Sequence, residues 1–192
     1  RLRQGQGGPE APLTEEGVPT FSQALAAAKD RVLINIDAKA NVYDQALAEA
    51  AAVGTQDQVL MKRRVAAGEP PLRTQPPFDR VLAMPILDQA AGEAAELMAG
   101  QAPAPVAAEL IFSDVGWLVR AAPVVEAAEI RLWVNTLSPD LAAGRSDDAA
   151  LEDPDAVWGL LRALGVTLFQ TDEPAALLDY LAGPAARGPS TP

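Results

Sequence analysis

The sequence predicts an α/β protein in which parallel β-strands alternate with α-helices, on three observations. Strand-like and helix-like segments follow one another with a step of about 25 residues, as successive βα units do. Hydrophobic residues make up 49% and charged residues 21% of the 192 residues, which is sufficient for a buried core. Glycine or proline stands where several helical patterns begin or end. A TIM barrel of about 250 residues is the favoured architecture, and an open parallel α/β sheet, which suits the shorter chain, is the alternative.

In the first half of the chain, the patterns predict two helices and three strands. Thr20 and Gln23 form a capping box at the start of the first helix, and Gly54 ends the second. Pro85 would remove a hydrogen-bond donor, so we expect its segment to be the weakest strand and to lie outside the barrel. The predicted elements are helices from residue 20 and over 41–52, and strands over 32–39, 58–62 and 81–86.

The second half of the chain repeats this alternation. Asp153 and Pro154 suit the N-cap and first position of a helix that Gly165 closes. Pro123 is expected to break the helix that contains it. The predicted helices cover 88–98, 117–128, 153–164 and 174–181, and the predicted strands cover 107–112, 131–136 and 166–170.

The two ends of the chain lack periodicity. Residues 1–18 are predicted to be a leading loop, residues 19–183 the barrel-like part, and residues 184–192 a disordered tail. The glycine-rich segment 5–8 follows no strand, so it is not a dinucleotide-binding loop. The chain begins with Arg1 and not with methionine, so we expect a fragment or a processed piece.

Composition excludes several classes of function. With 15 Lys and Arg against 26 Asp and Glu, the formal net charge is −11, and a nucleic-acid partner is not expected. No apolar run approaches the roughly 20 residues of a membrane span, so we expect no integral membrane segment. The chain has no cysteine and no histidine, which removes thiolate sites and the commonest acid/base and metal ligand. A metal would therefore be Mg²⁺ or Ca²⁺ held by oxygen ligands.

The predicted strand over 32–39 has an apolar face and a face that carries polar groups. Leu33, Asn35, Asp37 and Lys39 share the second face. An acid and an amine at the carboxyl end of a parallel strand lie where a barrel keeps its active site. The alternative is a solvated strand end, at which the charged pair only marks the exit into a loop.

Five further polar or aromatic residues are candidates for a site. Trp133 and Asn135 share a strand face and could wall a ligand pocket, although such a tryptophan is more often part of the core. Lys62 could offer a positive charge to an anion or lie at the surface. Glu109 interrupts an apolar strand, so it must either face solvent or have a partner. Asp172 lies between the last strand and the last helix, where capping is a sufficient explanation.

Three blocks of the sequence, which together span Val18 to about Leu181, carry a family resemblance. They are VPTF (18–21) with VLINIDAK (32–39), then WVNT (133–136), then GVTLFQTDEP (165–174). In this order and spacing they resemble the glycerophosphodiester phosphodiesterase family. That family has P-T-L-E-E-A-L before a strand ending in E-I-K, then W-T-V-N, then G-V-D-G-I-I-T-D-x-P.

The resemblance implies a TIM barrel that hydrolyses glycerophosphodiesters, small-molecule substrates, to an alcohol and glycerol 3-phosphate. It implies carboxylate-bound Mg²⁺ or Ca²⁺ and two histidines as acid and base. It places Asp37 at a metal-ligand position, Lys39 at the phosphate-side lysine, and Trp133 at the glycerol end of the pocket. Asp37 departs from the family's glutamate, and its shorter side chain would bind from a shifted backbone or through water.

The family's H-R-G and H-D segments precede the P-T-L-E-E helix, and only residues 1–18 precede it here. We therefore expect a C-terminal portion of a partial (β/α)8 TIM barrel that lacks roughly its first three units. Without histidines this chain holds no catalytic acid or base and is expected to be inactive alone. The alternatives are a non-catalytic degenerate α/β barrel module for binding or assembly and, ranked last because an acidic surface is repelled by anionic membranes, a phosphatidylinositol phospholipase C type.

Overall fold

The computed structural model describes residues 8–183. The predictions for residues 1–7 and for the tail 184–192 lie outside the described residues. The chain divides into two compact units, with the boundary between Leu60 and Met61.

The first unit confirms the predicted start of the first helix. Helix α1 (Phe21–Ala28) begins at a capping box, in which the Gln23 N–H donates to Thr20 Oγ1 and the Thr20 N–H donates to Gln23 Oε1. These two bonds satisfy backbone donors that a helix start otherwise leaves unpaired.

The next two elements of the first unit are β1 (Ile34–Ile36) and α2 (Tyr43–Val53). Strand β1 is shorter than the predicted 32–39, because the Gln58 side chain and not a strand donates to the Val32 carbonyl, at 2.7 Å. Gly54 ends α2 as predicted, with a φ of 77° that favours glycine.

The second unit consists of neighbouring strands that are linked by helical segments. After β2 (Val59–Arg64), which crosses the boundary, come β3 (Leu82–Asp88), α3 (Ala94–Met98), β4 (Ala107–Ile111), α4 (Val115–Ala127), β5 (Arg131–Asn135), α5 (Asp147–Glu152), α6 (Leu160–Ala163), β6 (Leu168–Gln170) and α7 (Pro174–Ala182). Strands β2 to β6 lie side by side in chain order. The β3–β4, β4–β5 and β5–β6 pairs are all parallel. The α/β class with a parallel sheet is therefore confirmed.

The prediction that the segment with Pro85 stays out of the sheet is wrong. Strand β3 lies between β2 and β4, and its register with β4 begins at Ile86, directly after the proline. The missing donor thus falls at the start of this ladder, where a proline is tolerated. Strand β3 also runs on to Asp88, so the helix predicted over 88–98 is reduced to a 3₁₀ turn and the five residues of α3.

Two helices of the second unit differ from the predictions. Helix α4 continues through Pro123 without a break, because Leu118, Ala121 and Val125 remain buried along one side of it. The Asp153 side chain accepts from the Ala156 N–H at 3.0 Å, which confirms the predicted cap. The helix that follows begins with a π-helical turn over 155–159 before α6.

The sheet of the second unit is curled. Strands β2 and β6 are separated by β3, β4 and β5, so in a flat sheet they would lie about 19 Å apart. Nevertheless, Lys62 Nζ on β2 donates to Gln170 Oε1 on β6 at 2.9 Å. The two side chains therefore lie on the concave face of the sheet.

Candidate functional site

The concave face of the second unit holds a cluster of four side chains, Lys62, Glu109, Trp133 and Gln170, which we call the Lys62 cluster. Lys62 Nζ lies 2.8 Å from Glu109 Oε2 and 2.9 Å from Gln170 Oε1. It also lies 5.6 Å from the centre of the Trp133 ring, within the range of a cation–π contact. The side chains of Lys62 and Glu109 are only 7% and 2% exposed, so the ion pair is buried.

Strand register explains why these residues meet. Ile86 pairs with Glu109, Glu109 with Trp133, and Trp133 with Leu168, and residues paired across parallel strands point to the same side. The neighbours of Glu109 in its strand point to the opposite side and are fully buried. Of the two alternatives for Glu109, the structure selects the partner, which is Lys62.

Two polar atoms of the Lys62 cluster lack hydrogen bonds. Glu109 Oε2 has the ionic contact with Lys62, but no donor in the described part of the chain is directed at it with hydrogen-bond geometry. Trp133 Nε1 is a buried donor with no acceptor within the described ranges. Buried polar atoms usually have partners, so each of these atoms is a place where a ligand atom would be favourable.

Asn135 and Asp172 lie at the carboxyl ends of β5 and β6. Asn135 is buried, and its Oδ1 accepts from the Leu137 N–H at 2.9 Å, so it holds the turn after β5. Asp172 is exposed, and its N–H donates to Asp147 Oδ2 at 2.7 Å. The capping interpretation of Asp172 is thus replaced by an anchoring contact with a residue that the sequence analysis missed.

Asp147 is a buried carboxylate that organises the carboxyl end of the sheet in the second unit. Its Oδ1 accepts from the hydroxyls of Thr136 at 2.5 Å and Thr171 at 2.8 Å, in addition to the bond between Oδ2 and the Asp172 N–H. Asp147 is 7% exposed. The serine before it caps α5, and that capping pattern was the signal in the sequence that could have indicated this helix.

A second charged pair at this end was also missed. Arg64 Nε, in the last residue of β2, lies 2.9 Å from Asp88 Oδ2, in the last residue of β3. The arginine side chain is 62% exposed, whereas that of Asp88 is 19% exposed. The guanidinium of Arg64 thereby balances the negative charge of Asp88.

The predicted pair Asp37 and Lys39 lies in the first unit, directly after β1. Lys39 Nζ donates to Asp37 Oδ2 at 2.8 Å, and the two side chains are 83% and 44% exposed, in that order. The residues expected to bind a metal and a phosphate therefore bind each other.

The divalent cation that the resemblance implies requires a set of oxygen ligands. Mg²⁺ and Ca²⁺ take six or more oxygen ligands, commonly from several carboxylates. Among residues 8–183, no group of three or more acidic side chains is arranged to hold a metal ion. Asp37 is a single carboxylate with an ammonium against it, so the described residues alone do not fit the ion.

A cleft away from this end lies near the start of β5. It has a volume of about 730 Å³ and is lined by residues from α4, α6 and the start of β5, among them Glu126, Arg131 and Arg162. It contains none of the predicted site residues.

The fold and the site define a class: an α/β protein with a curled parallel sheet whose concave face carries a buried Lys–Glu pair. The chain belongs to the DUF4996 family, described as a domain of unknown function, whose model matches residues 83–181. The match contains Glu109, Trp133 and Asp147, whereas Asp37 and Lys62 precede it. No curated protein matches the chain.

This family has no described function, so the resemblance to glycerophosphodiester phosphodiesterases stays a prediction. Within the described residues, no helix is both long enough and apolar enough to cross a lipid bilayer.

Proposed function

We propose that this chain is part of a phosphodiester hydrolase that cleaves glycerophosphodiesters to an alcohol and glycerol 3-phosphate. One observation supports this most directly. Four polar residues within the blocks that carry the resemblance follow or end their strands: Asp37 and Lys39 follow β1, Asn135 ends β5, and Asp172 follows β6. The carboxyl ends of parallel strands are where α/β proteins place their sites.

The proposed architecture is a partial (β/α)8 TIM barrel. The strands β2 to β6 in chain order and the curl of their sheet are what such a barrel requires. With β3 counted as a strand, the described residues contribute six strands. A barrel of eight would then need two further units (8 − 6 = 2) and not three.

Each candidate residue has a role in this proposal. Lys39, whose side chain is 83% exposed, offers an ammonium to the phosphate. Trp133 presents an indole that covers the apolar carbons of glycerol, and its Nε1 can donate to an oxygen of the phosphate ester. Asp37 would exchange its contact with Lys39 for a cation. Since Asp37 is a single carboxylate, the other ligands of Mg²⁺ or Ca²⁺ would come from outside the described residues.

The lack of histidine determines what this chain does alone. Phosphodiester hydrolysis needs a group that protonates the leaving alcohol, and no histidine is present for that step. We therefore expect the 192-residue chain to hydrolyse no substrate, and the longer gene product to do so.

The test is a hydrolysis assay on the longest product of the gene. Glycerophosphodiesters are supplied with Mg²⁺ or Ca²⁺, and glycerol 3-phosphate is measured with a coupled dehydrogenase. We expect release that chelator abolishes and that Asp37→Ala reduces at least a hundredfold, about 2.7 kcal/mol. Asp57→Ala, an exposed acid of the same unit, is the matched control. Absence of glycerol 3-phosphate, or full activity in Asp37→Ala, would refute the proposal.

The alternative is a non-catalytic module for binding or assembly. It is favoured by one observation, the mutual pairing of Asp37 and Lys39 in solvent, as at an ordinary strand end. It predicts cooperative melting that divalent cations do not change, together with no hydrolysis by any product of the gene.

A further inference from the structure

The buried pair of Lys62 and Glu109 has no part in the proposed function. Glu109 interrupts an otherwise apolar strand, Lys62 follows three buried apolar residues of β2, and both side chains are more than nine-tenths buried. Burying two charges costs about as much free energy as their attraction returns, so an apolar pair would pack this position equally well. Packing alone therefore does not explain why a lysine and a glutamate are present.

The contacts within the Lys62 cluster are also incomplete for a purely structural ion pair. A buried pair is stable when hydrogen bonds satisfy its remaining lone pairs and protons. Here Glu109 Oε2 receives no hydrogen bond, and Trp133 Nε1, whose ring lies 5.6 Å from the ammonium, has no acceptor among the described residues. Trp133 Nε1 needs an acceptor, and the Lys62 ammonium has a third N–H besides its contacts with Glu109 and Gln170, so the missing group is one that brings oxygen acceptors to both Lys62 and Trp133.

The concave face around the cluster is partly open. Trp133, Gln170 and the apolar neighbours Ile86, Ile111 and Leu168 all retain intermediate exposure. Other cations do not compete strongly, because Arg64 is held by Asp88. Among the described residues, Lys62 is thus a cation that a ligand entering beside Trp133 would meet, at 5.6 Å from the centre of the indole ring.

We propose that Lys62 is an anion-binding residue whose ammonium is held in position by Glu109 and Gln170. When a phosphate ester binds on the concave face, the ammonium keeps its contacts with Glu109 and Gln170 and donates its third N–H to a phosphate oxygen, and Trp133 Nε1 donates to a second oxygen. No covalent bond changes in this step. The choice of a phosphate ester rests on the proposed function, in which Lys62 would contact the glycerol 3-phosphate moiety.

The experiment uses the indole N–H resonances of the three tryptophans of the 192-residue chain, with that of Trp133 assigned from Trp133→Phe. Glycerol 3-phosphate and inorganic phosphate are titrated at constant ionic strength, with glycerol as the uncharged control. We expect a saturable shift of the Trp133 resonance with both phosphates and none with glycerol. Because the chain carries a net charge of −11, unspecific anion binding is unfavourable.

Substitutions of the two residues of the ion pair should change the affinity for phosphate in opposite directions. Glu109→Gln removes the competing carboxylate, so phosphate should bind about tenfold more tightly, equivalent to ~1.4 kcal/mol. Lys62→Met should bind at least tenfold more weakly. Lys29→Met, an exposed lysine of the first unit, is the control and should bind unchanged. A purely structural pair would instead weaken binding in both variants, and that result would overturn the proposal.

A double variant keeps the test decisive if Lys62→Met does not fold. Lys62→Met/Glu109→Gln removes both charges and leaves no unpaired ion, so it should fold and yet fail to bind phosphate. Binding at the wild-type level in the double variant would overturn the proposal. Phosphate binding is measured without turnover, so the two proposals can fail separately. Saturable binding to this chain, with no hydrolysis by the longer gene product, would refute only the proposed function. Hydrolysis by the longer product, with no phosphate binding that depends on Lys62, would refute only the role of Lys62.

Discussion

Replacing Asp147 by alanine tests whether one buried carboxylate holds the carboxyl end of the sheet together. The substitution removes the acceptor of the Thr171 hydroxyl and of the Asp172 N–H, and it leaves the Thr136 hydroxyl only its longer contact with the Gln170 carbonyl, at 3.2 Å. Hydrogen bonds to a charged group each contribute about 1.5–3 kcal/mol. Water entering the vacated space offsets part of that sum, so we expect Asp147→Ala to lower the free energy of unfolding by about 3–5 kcal/mol.

Two further variants sharpen this prediction. Asp147→Asn preserves the shape and can still accept from the hydroxyls, but its amide group opposes the Asp172 N–H. We expect it to cost about 1–3 kcal/mol, the penalty of one unsatisfied donor. Asp148→Ala, the exposed acid next in the sequence, is the matched control and should cost less than about 1 kcal/mol.

The assay is urea unfolding followed by tryptophan fluorescence. Trp117, Trp133 and Trp158 all lie in the second unit, so the signal reports the part that Asp147 stabilises. Comparison of the variants requires an unchanged dependence on urea concentration. The reasoning fails if Asp147→Ala is no more destabilising than Asp148→Ala.

Three smaller predictions concern other contacts. Thr20→Ala removes the capping box and should destabilise α1 by about 1 kcal/mol, whereas Thr20→Ser should retain most of the cap; amide hydrogen exchange within α1 distinguishes the two. The Tyr180 hydroxyl donates to Asp155, and this hydrogen bond raises the pKa of Tyr180. The contact therefore stabilises the fold fully below the ordinary tyrosine pKa, and this stabilisation is lost as the pH rises through the raised pKa. Absorbance titration in a Tyr43→Phe background should show this pKa falling in Asp155→Asn. Gly159→Ala would place its Cβ 2.6 Å from Tyr180 Oη, so the hydroxyl must move away from Asp155 and the raised pKa of Tyr180 should fall; an unchanged titration curve would contradict this geometry.

Local signals were sufficient wherever a few neighbouring residues determine the structure. The capping box at Thr20, the left-handed glycine at 54 and the Asp153 cap all lie where the sequence predicts them. Each depends on contacts within about one turn of the chain, so the pattern and the structure agree. Pro85 shows the limit of such rules, because its place in the ladder depends on where the neighbouring strand begins.

The site depends on contacts that no local pattern contains. The sequence required either solvent or a partner for Glu109 and could not identify Lys62, because the two residues are distant in the chain and meet only across strand β3. Asp147 was missed for a similar reason, since its three donors come from two other segments, at Thr136 and at 171–172. Whether Asp37 and Lys39 belong to a catalytic site stays a prediction that the hydrolysis assay addresses.

The contact between Lys62 and Gln170 has a consequence for biosynthesis. The two residues are 108 positions apart, so on a ribosome that adds about 5–20 residues per second, Lys62 waits roughly 5–20 s for Gln170, well after Glu109 has been added. During that interval the nascent chain carries a lysine on an unfinished apolar sheet, which keeps the emerging strands hydrated and discourages premature pairing with other chains. The ammonium would then complete its contacts only when β6 leaves the exit tunnel.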